Sequence, residues 1–339
     1  MALTPKENLA LIYQKKEPEY MPLNIDSQMI RTPGAGLRTV VYDGKPAQQF
    51  SQQDGGLDWF GQNWIYEPKV NAINPDANNY LIKDVANWRD YVTLPDVDAI
   101  DWNARFEKEA IPIDETKMLQ VSDSIGMWER GFSSVRIDDL LTGLLLEPEA
   151  MFDFFSTIAD HKIKLFGYYI DYYKPDILRM NDDYGHGTGL FMSPDTWREI
   201  IKPNLKKIID SVTSKGVMYE HHCCGYLVPL VEEIAELGAT SWNGMHICND
   251  PGACRQMFND TIVVNGTVLD TQFLDSPLAT EESIRAHIRE MMGKVWPGNF
   301  IISGNATVHT DRNAIILDEM LKSGQQYFNN KRPDFPDYH

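Results

Sequence analysis

The chain has 339 residues, 43% of them apolar and 24% charged, which is ordinary soluble globular composition with length enough for a sizeable core. Its 31 basic residues against 49 acidic ones leave a net charge of −18. That charge argues against nucleic acid, an anionic membrane or a polyanionic ligand as partner, since each would be repelled unless basic residues gathered locally.

In chain order, the segment from about 28 to 115 is rich in Gly, Pro, Asn and Trp (GGLDWFGQNW, NPDANNY, DVDAIDW) and reads as a cap or insertion. KMLQV (117–121) is a short strand. Aromatic and aliphatic residues at helical spacing predict a helix over 146–173, with Pro148 in its first turn. PDILRMNDD (175–183) reads as a strand ending in acids. Ser193 as N-cap and Pro194 at N1 open a helix to about 214, which Pro203 should kink or split, and Gly216 follows its end. GVMYEHHCCG (216–225) is a strand running into a loop, and a helix over about 227–237 ends at Gly238. TIVVNG (261–266) is another strand, Thr280 begins a helix, NFIISGN (299–305) is the last strand, and a helix over about 312–328 closes the chain. This repeated βα rhythm with short connections implies a parallel sheet or barrel. Reactive residues sit where strands end, as in a (β/α)8 barrel, so the chain reads as one domain over 1–339 carrying a cap. No apolar run reaches the ~20 residues of a membrane span, and the first residues lack the apolar stretch of a secretory signal.

Four cysteines, Cys223, Cys224, Cys248 and Cys254, crowd one stretch instead of spreading as a disulfide framework would. They read as reduced thiols of a cytoplasmic protein. In YEHHCCG two H-x-C pairs overlap, His221 with Cys223 and His222 with Cys224, and residues i and i+2 of a strand share a face. Imidazole and thiolate together suit zinc, although two ligands make no site, and buried cysteines beside hydrogen-bonded histidines fit equally well. Glu220 is either an acceptor that orients an imidazole or an exposed acid. MNDDYGHGTG (180–189) offers Asp183 and His186 for a polar loop, or is a turn and capping segment. Asn305 and His309 follow the last strand, and His246 follows the strand-like ATSWN. Trp59, Trp64, Trp88 and Trp102 could cover a flat ligand or pack an irregular segment. Walker, dinucleotide and nucleophile-elbow motifs are absent from the sequence.

Several runs taken together resemble the uroporphyrinogen decarboxylase superfamily over about residues 4–330. They are TPKENLALIYQKKEPEYMPL, DDYG…SPDTWREIIKPNLKKII, the H-x-C-G of His222, Cys224 and Gly225, the NG…LD block (265–270) and FIISG. The resemblance implies a (β/α)8 TIM barrel with its active site at the C-terminal mouth. It offers only Arg31 where true uroporphyrinogen decarboxylases carry an arginine-rich segment. It therefore points to the corrinoid methyltransferase branch, in which zinc is bound by H-x-C, here His222 and Cys224, and a later cysteine. Asn305 stands where that cysteine is expected. The implied reading is an O-demethylase type. It takes the methyl group of a small substrate, an aryl methyl ether by preference, to the cobalamin of a separate corrinoid protein. Asp183 and Asn305 are then the catalytic candidates, with His186, His246, Trp59 and His309 toward substrate. A methylcorrinoid:thiol methyltransferase, a metal-free lyase and a non-catalytic barrel remain the alternatives, and self-association as a homodimer stays open.

Overall fold

The computed structural model describes residues 2–31, 55–68, 72–104, 112–328 and 330–335. Parts of the expected cap (32–54, 69–71 and 105–111) and the side chain of Arg31 lie outside the described residues.

Seven strands form one parallel sheet, in spatial order identical to chain order. They are β1 (Ser27–Arg31), β2 (Met118–Asp123), β3 (Ile177–Asn181), β4 (Met218–His222), β5 (Ser241–Met245), β6 (Val263–Thr267) and β7 (Phe300–Ser303). A parallel bridge between Leu23 and Ile302 of β7 brings the two edges together. Among the described residues, seven strands and one bridge thus stand where eight full strands were expected. The reason is local. A 3-10 turn, Asn24–Asp26, follows Leu23 at once, and the Asp26 carboxylate accepts the Leu23 N–H at 2.9 Å. That turn is locked by Arg332, whose two Nη groups donate to Asp26 at 2.6 and 3.0 Å and whose Nη1 also donates to the Met21 carbonyl.

Helices cover the outside of the sheet. The 26-residue helix Pro148–Tyr173 starts at its proline and buries Met151, Phe154, Phe155, Ile158 and Phe166 at helical spacing. It stops at Lys174, which takes the left-handed conformation at φ 49°. Ser193 caps the next helical segment by accepting the Thr196 N–H at 3.0 Å. The predicted disturbance at Pro203 takes the form of a π turn, Trp197–Ile201, ahead of the helix Lys202–Thr213. Proline cannot donate to the carbonyl four residues back, and widening the preceding turn accommodates that gap.

Of the cap, a small antiparallel sheet is described: Gly56–Leu57, Asn63–Glu67 and Ala72–Pro75. Asp58 organises it. Its carboxylate accepts from Phe60 N, Gln62 N and Trp64 Nε1, and receives Arg130 Nη1 at 2.6 Å. No described helix is long and apolar enough to cross a membrane.

Candidate functional site at the C-terminal mouth of the barrel

Strand β4 delivers the H-x-C motif to the mouth. The imidazole of His222, its last residue, faces the barrel interior, while the side chains of His221 and Cys223 are fully buried on the other side. His221 stacks on Tyr184 with ring centres 5.2 Å apart, and the Cys223 sulfur accepts the Tyr184 N–H at 3.3 Å. The chain then turns sharply at Gly225, at φ 73°, where a Cβ would sit 2.6 Å from the backbone of Gly185. Only glycine allows this approach, and it holds Cys224 over the end of the strand.

Three potential ligand atoms converge there. Cys224 Sγ lies 3.3 Å from His222 Nε2, and Asp183 Oδ1 lies 3.9 Å from the same nitrogen. One ligand atom from each of the three lies within 4.8 Å of the others. Asp183 arrives from the loop after β3, and its Oδ1 also accepts the Cys224 N–H at 2.7 Å. Asn243 on β5 fixes the ring: His222 Nδ1 and Asn243 Oδ1 are 2.5 Å apart, so Nδ1 carries the proton and Nε2 presents its lone pair to the cluster. The helix Met127–Ser134 secures the acidic loop. Its Trp128 Nε1 donates to the Asp183 carbonyl at 2.9 Å, and its Glu129 N donates to Asp182 Oδ1 at 3.1 Å.

Electrostatics follow from burial. The Cys224 thiol is pushed up to about 12, first by burial and then by the carboxylate of Asp183. Burial and the two neighbouring aspartates push Glu129 up to about 8, while Asp183 N donates to its Oε1. Burial also lowers His222 below the usual imidazole range against the opposing pull of Asp183, so its ring is neutral and able to ligate.

Below the cluster lies a cavity of about 280 Å³, lined among others by Ser27, Gln120, Arg179, Asn243, His246 and Ser303. Its floor is a buried ion pair. Arg179 Nε and Nη2 both lie 2.6 Å from Glu220 Oε1. Gln120 donates to Glu220 at 2.6 Å, Ser241 at 2.9 Å and Asn265 at 3.0 Å. Burial raises the carboxyl, but the Arg179 charge and these donors outweigh it and hold Glu220 below the usual carboxylate range. Glu220 is therefore neither the exposed acid nor the imidazole partner offered from sequence; Asn243 takes the second role.

The sequence family described as uroporphyrinogen decarboxylase (URO-D) matches residues 127–323, more than half of the chain. The chain belongs to this family. Among solved structures, a methyltransferase from Methanosarcina mazei is similar at 11% identity and TM-score 0.62, covering 96% of this chain and 99% of that one. A putative vitamin-B12 independent methionine synthase from Listeria monocytogenes is similar at 11% identity and TM-score 0.43, covering 68% and 70%. Comparison with curated proteins gives no match in sequence.

Within this barrel of the uroporphyrinogen decarboxylase family, the other expected site residues separate. His246 lies on the cavity wall. Asn305 follows β7 at the same barrel end as Asp183, but it is exposed, its Nδ2 donates to the Ala306 carbonyl, and it does not line the cavity. His186 sits exposed on the hairpin of Gly185–His186 with Gly189–Leu190, its ring 5.3 Å from Phe191. His309 follows a loop tied to Asp275, whose carboxylate accepts its N–H. Trp59 packs edge-on against His161, 5.5 Å between ring centres, away from the cavity. Trp64 is buried on Asp58, Trp88 on Phe154 and Trp102 on Tyr168, so among the described residues no tryptophan lines the cavity. Cys254 is buried with its thiol donating to the Asn249 carbonyl, and Cys248 lies outside the three-residue group. Arg179, Asn243 and Glu129 were missed. Arginine within an apolar strand run, ILRMN, was the one readable signal among them.

Proposed function

We propose that the chain is a methyltransferase that takes a methyl group from a small methylated substrate and passes it to the corrinoid of a separate protein. The single observation that carries this reading is the convergence of Asp183, His222 and Cys224 at the barrel mouth. Their chemistry fits zinc. A tetrahedral ion with bonds of ~2.0–2.3 Å spaces its ligand atoms roughly 3.3–3.8 Å apart, close to the distances found here. Asp183 in this reading fills the position for which Asn305 is a poor ligand, so that Asp183, His222 and Cys224 would hold the ion. A zinc ion held there would supply Lewis acidity to the heteroatom that carries the methyl group.

The chain's own residues do the rest. Asn243 fixes the tautomer and plane of His222, so Nε2 remains free to ligate. The helix Met127–Ser134 holds the Asp183 loop against the mouth. The polar walls of the cavity bind and orient the donor, whose heteroatom keeps the bonding electron pair as the methyl group departs to the nucleophilic acceptor. The fold likeness to a Methanosarcina mazei methyltransferase supports the reaction class. A cavity of about 280 Å³ with a single described arginine on its wall speaks against a porphyrinogen carrying many carboxylates. The aryl ether preference loses its main support, since the described cap tryptophans are packing residues, and the proposal keeps only a small methylated donor.

Metal analysis of the purified chain should give about one zinc per chain, lost in His222→Ala and Cys224→Ala and retained in Cys223→Ala. Wild-type protein should methylate Co(I) corrinoid, followed by its absorbance change, across a panel of methoxy, methylthio and methylamino donors. Metal-free protein with no methylation of Co(I) would overturn the reading. Rapid methylation of a thiol from methylcobalamin, with no donor-dependent methylation of Co(I), would reverse the direction of transfer.

A further inference from the structure

The interior of the barrel departs from the usual apolar layers. Gln120, Arg179, Glu220, Ser241 and Asn265 point inward from β2 to β6 and join in one hydrogen-bonded cluster. Burying a carboxylate and a guanidinium is unfavourable, and apolar residues of similar volume would stabilise a barrel at least as well. The cluster has a consequence for geometry. Glu220 grips Arg179 through two of its nitrogens, at 2.6 Å each, and leaves Nη1 facing only the thioether of Met29 at 3.9 Å among the described residues. Arg179 is 8% exposed and lines the cavity. A guanidinium fixed in place thus keeps one strong, charged donor group without an oxygen acceptor, at the floor of a cavity whose upper wall is His222 and Cys224.

We infer that the cavity takes a methyl donor whose far end is a carboxylate, received by Arg179; this rests on the methyl-transfer reading of the same site. Register sets the length of the ligand. Arg179 pairs with Glu220, and Asn181 pairs with His222, two residues further along the same strands. At ~3.3 Å per residue that separation is roughly 6–7 Å. A donor that bridges the two ends carries its carboxylate about that far from the methyl-bearing heteroatom. Short ω-methoxy and ω-methylthio acids and 4-methoxybenzoate have this span. A charged donor on a charged acceptor forms a shorter, stronger bond than on a neutral one. The negative charge of Glu220 offsets part of this preference, and Gln120, Ser241 and Asn265, which donate to Glu220, stabilise that charge without engaging Arg179 Nη1. Ser27, Thr267 and Ser303, which also line the cavity, are neutral hydroxyl residues.

The test separates binding from turnover. Calorimetric titration of the wild-type chain, without corrinoid, uses 4-methoxybutyrate, 4-methylthiobutyrate and 4-methoxybenzoate, each beside its primary amide. The acids should bind at least about tenfold more tightly than the amides, the difference expected between a charged donor on a charged acceptor and the same donor on a neutral one. Arg179→Lys, which keeps the charge opposite Glu220 but not the planar fork, should lose most of that preference. Arg179→Gln combined with Glu220→Gln removes both charges together, so it avoids a lone buried carboxylate, and should bind acid and amide alike while keeping its thermal unfolding transition. Equal binding of acids and amides by the wild type, or an acid preference that survives in both variants, overturns the inference. Co(I) methylation is measured apart. Acid binding through Arg179 without methylation would remove the methyl-transfer reading and leave the carboxylate site. Methylation from neutral donors only would do the opposite.

Discussion

Among the described residues three arginine–carboxylate pairs lie almost wholly out of water, and apart from Arg332 with Asp26, which locks the turn after Leu23, the other two serve different ends. Arg130 meets Asp58 at 2.6 Å where the cap joins the barrel, and Arg179 meets Glu220 at 2.6 Å inside the barrel. Around Asp58 every further donor belongs to its own hairpin, and the Arg130 guanidinium lies 4.0 Å from the centre of the Phe60 ring. Among the described residues Arg130 Nε and Nη2 find no hydrogen-bond partner, but they are sealed from solvent, so they do not reach a ligand. Around Glu220 the partners come from separate strands, and the arginine borders a cavity. Burial of an ion pair is therefore no sign of function by itself. What distinguishes the second pair is a donor group, Arg179 Nη1, that meets only the Met29 thioether among the described residues and belongs to a residue bordering a cavity. The tryptophan-rich DWFGQNW run belongs to the first pair: its conspicuous residues build a fastening, not a binding surface.

The largest effect should come from breaking the fastening. Asp58→Ala leaves the Arg130 charge buried without a partner, which costs about 3–5 kcal/mol of stability. Urea unfolding followed by tryptophan fluorescence should show that loss, and Asp58→Leu with Arg130→Met should recover much of it. Carboxylate binding in the cavity should survive in the double variant. If the double variant kept its stability but lost ligand binding, the division between the two pairs would fail.

Asn243→Ala comes next. It removes the acceptor that fixes His222 without touching the other two residues of the cluster. Loss of such an orienting partner typically weakens metal binding about 10–100-fold. Competition against a zinc indicator should show that drop, and Asn243→Asp, which keeps an acceptor oxygen, should restore most of the affinity. An unchanged affinity in Asn243→Ala would mean that the ring is held by packing alone.

The βα rhythm after residue 117 was legible because strands and helices announce themselves by spacing, and the ends near Pro148, Ser193 and Gly238 by residues of restricted backbone. The helices Met127–Ser134 and Ile137–Leu146 were not read, although Met127–Ser134 holds the Asp183 loop. The H-x-C-G motif was legible as a local pattern, since i and i+2 on a strand share a face and the closing glycine is required by its close approach to Gly185. Its company was not. Asp183 joins His222 and Cys224 from 39 residues upstream of His222, across a neighbouring strand, and spacing along the chain carries no information about such a contact. Asn305 was weighed by its place after the last strand, but its side chain turns to the Ala306 carbonyl. Position at the right barrel end is necessary for a site residue. It does not say which way the side chain points.

The smallest effect concerns pH and follows from Glu129. In the folded chain its carboxyl is pushed from 4.5 up to about 8 by burial and by Asp183 and Asp182. Between those values the folded state holds a proton that the unfolded chain has released, so its contribution to stability falls as pH rises. Asp182, pushed up to about 7 chiefly by burial, acts in the same direction over a shorter range. His161 and His221 act oppositely, since burial lowers them to about 4 and about 3, but that contribution is complete once pH passes the ordinary histidine value of 6.5. From pH 6.5 to 8, then, the carboxyls beside the mouth act without the two histidines. Metal-stripped wild type should lose stability over that window in urea titrations, and Glu129→Gln should lose less, gaining on the wild type most at pH 8 and above. Parallel curves for the two proteins would mean that Glu129 titrates as an ordinary carboxylate. The acidic loop would then be held open to water, unlike the closed surroundings of Asp58.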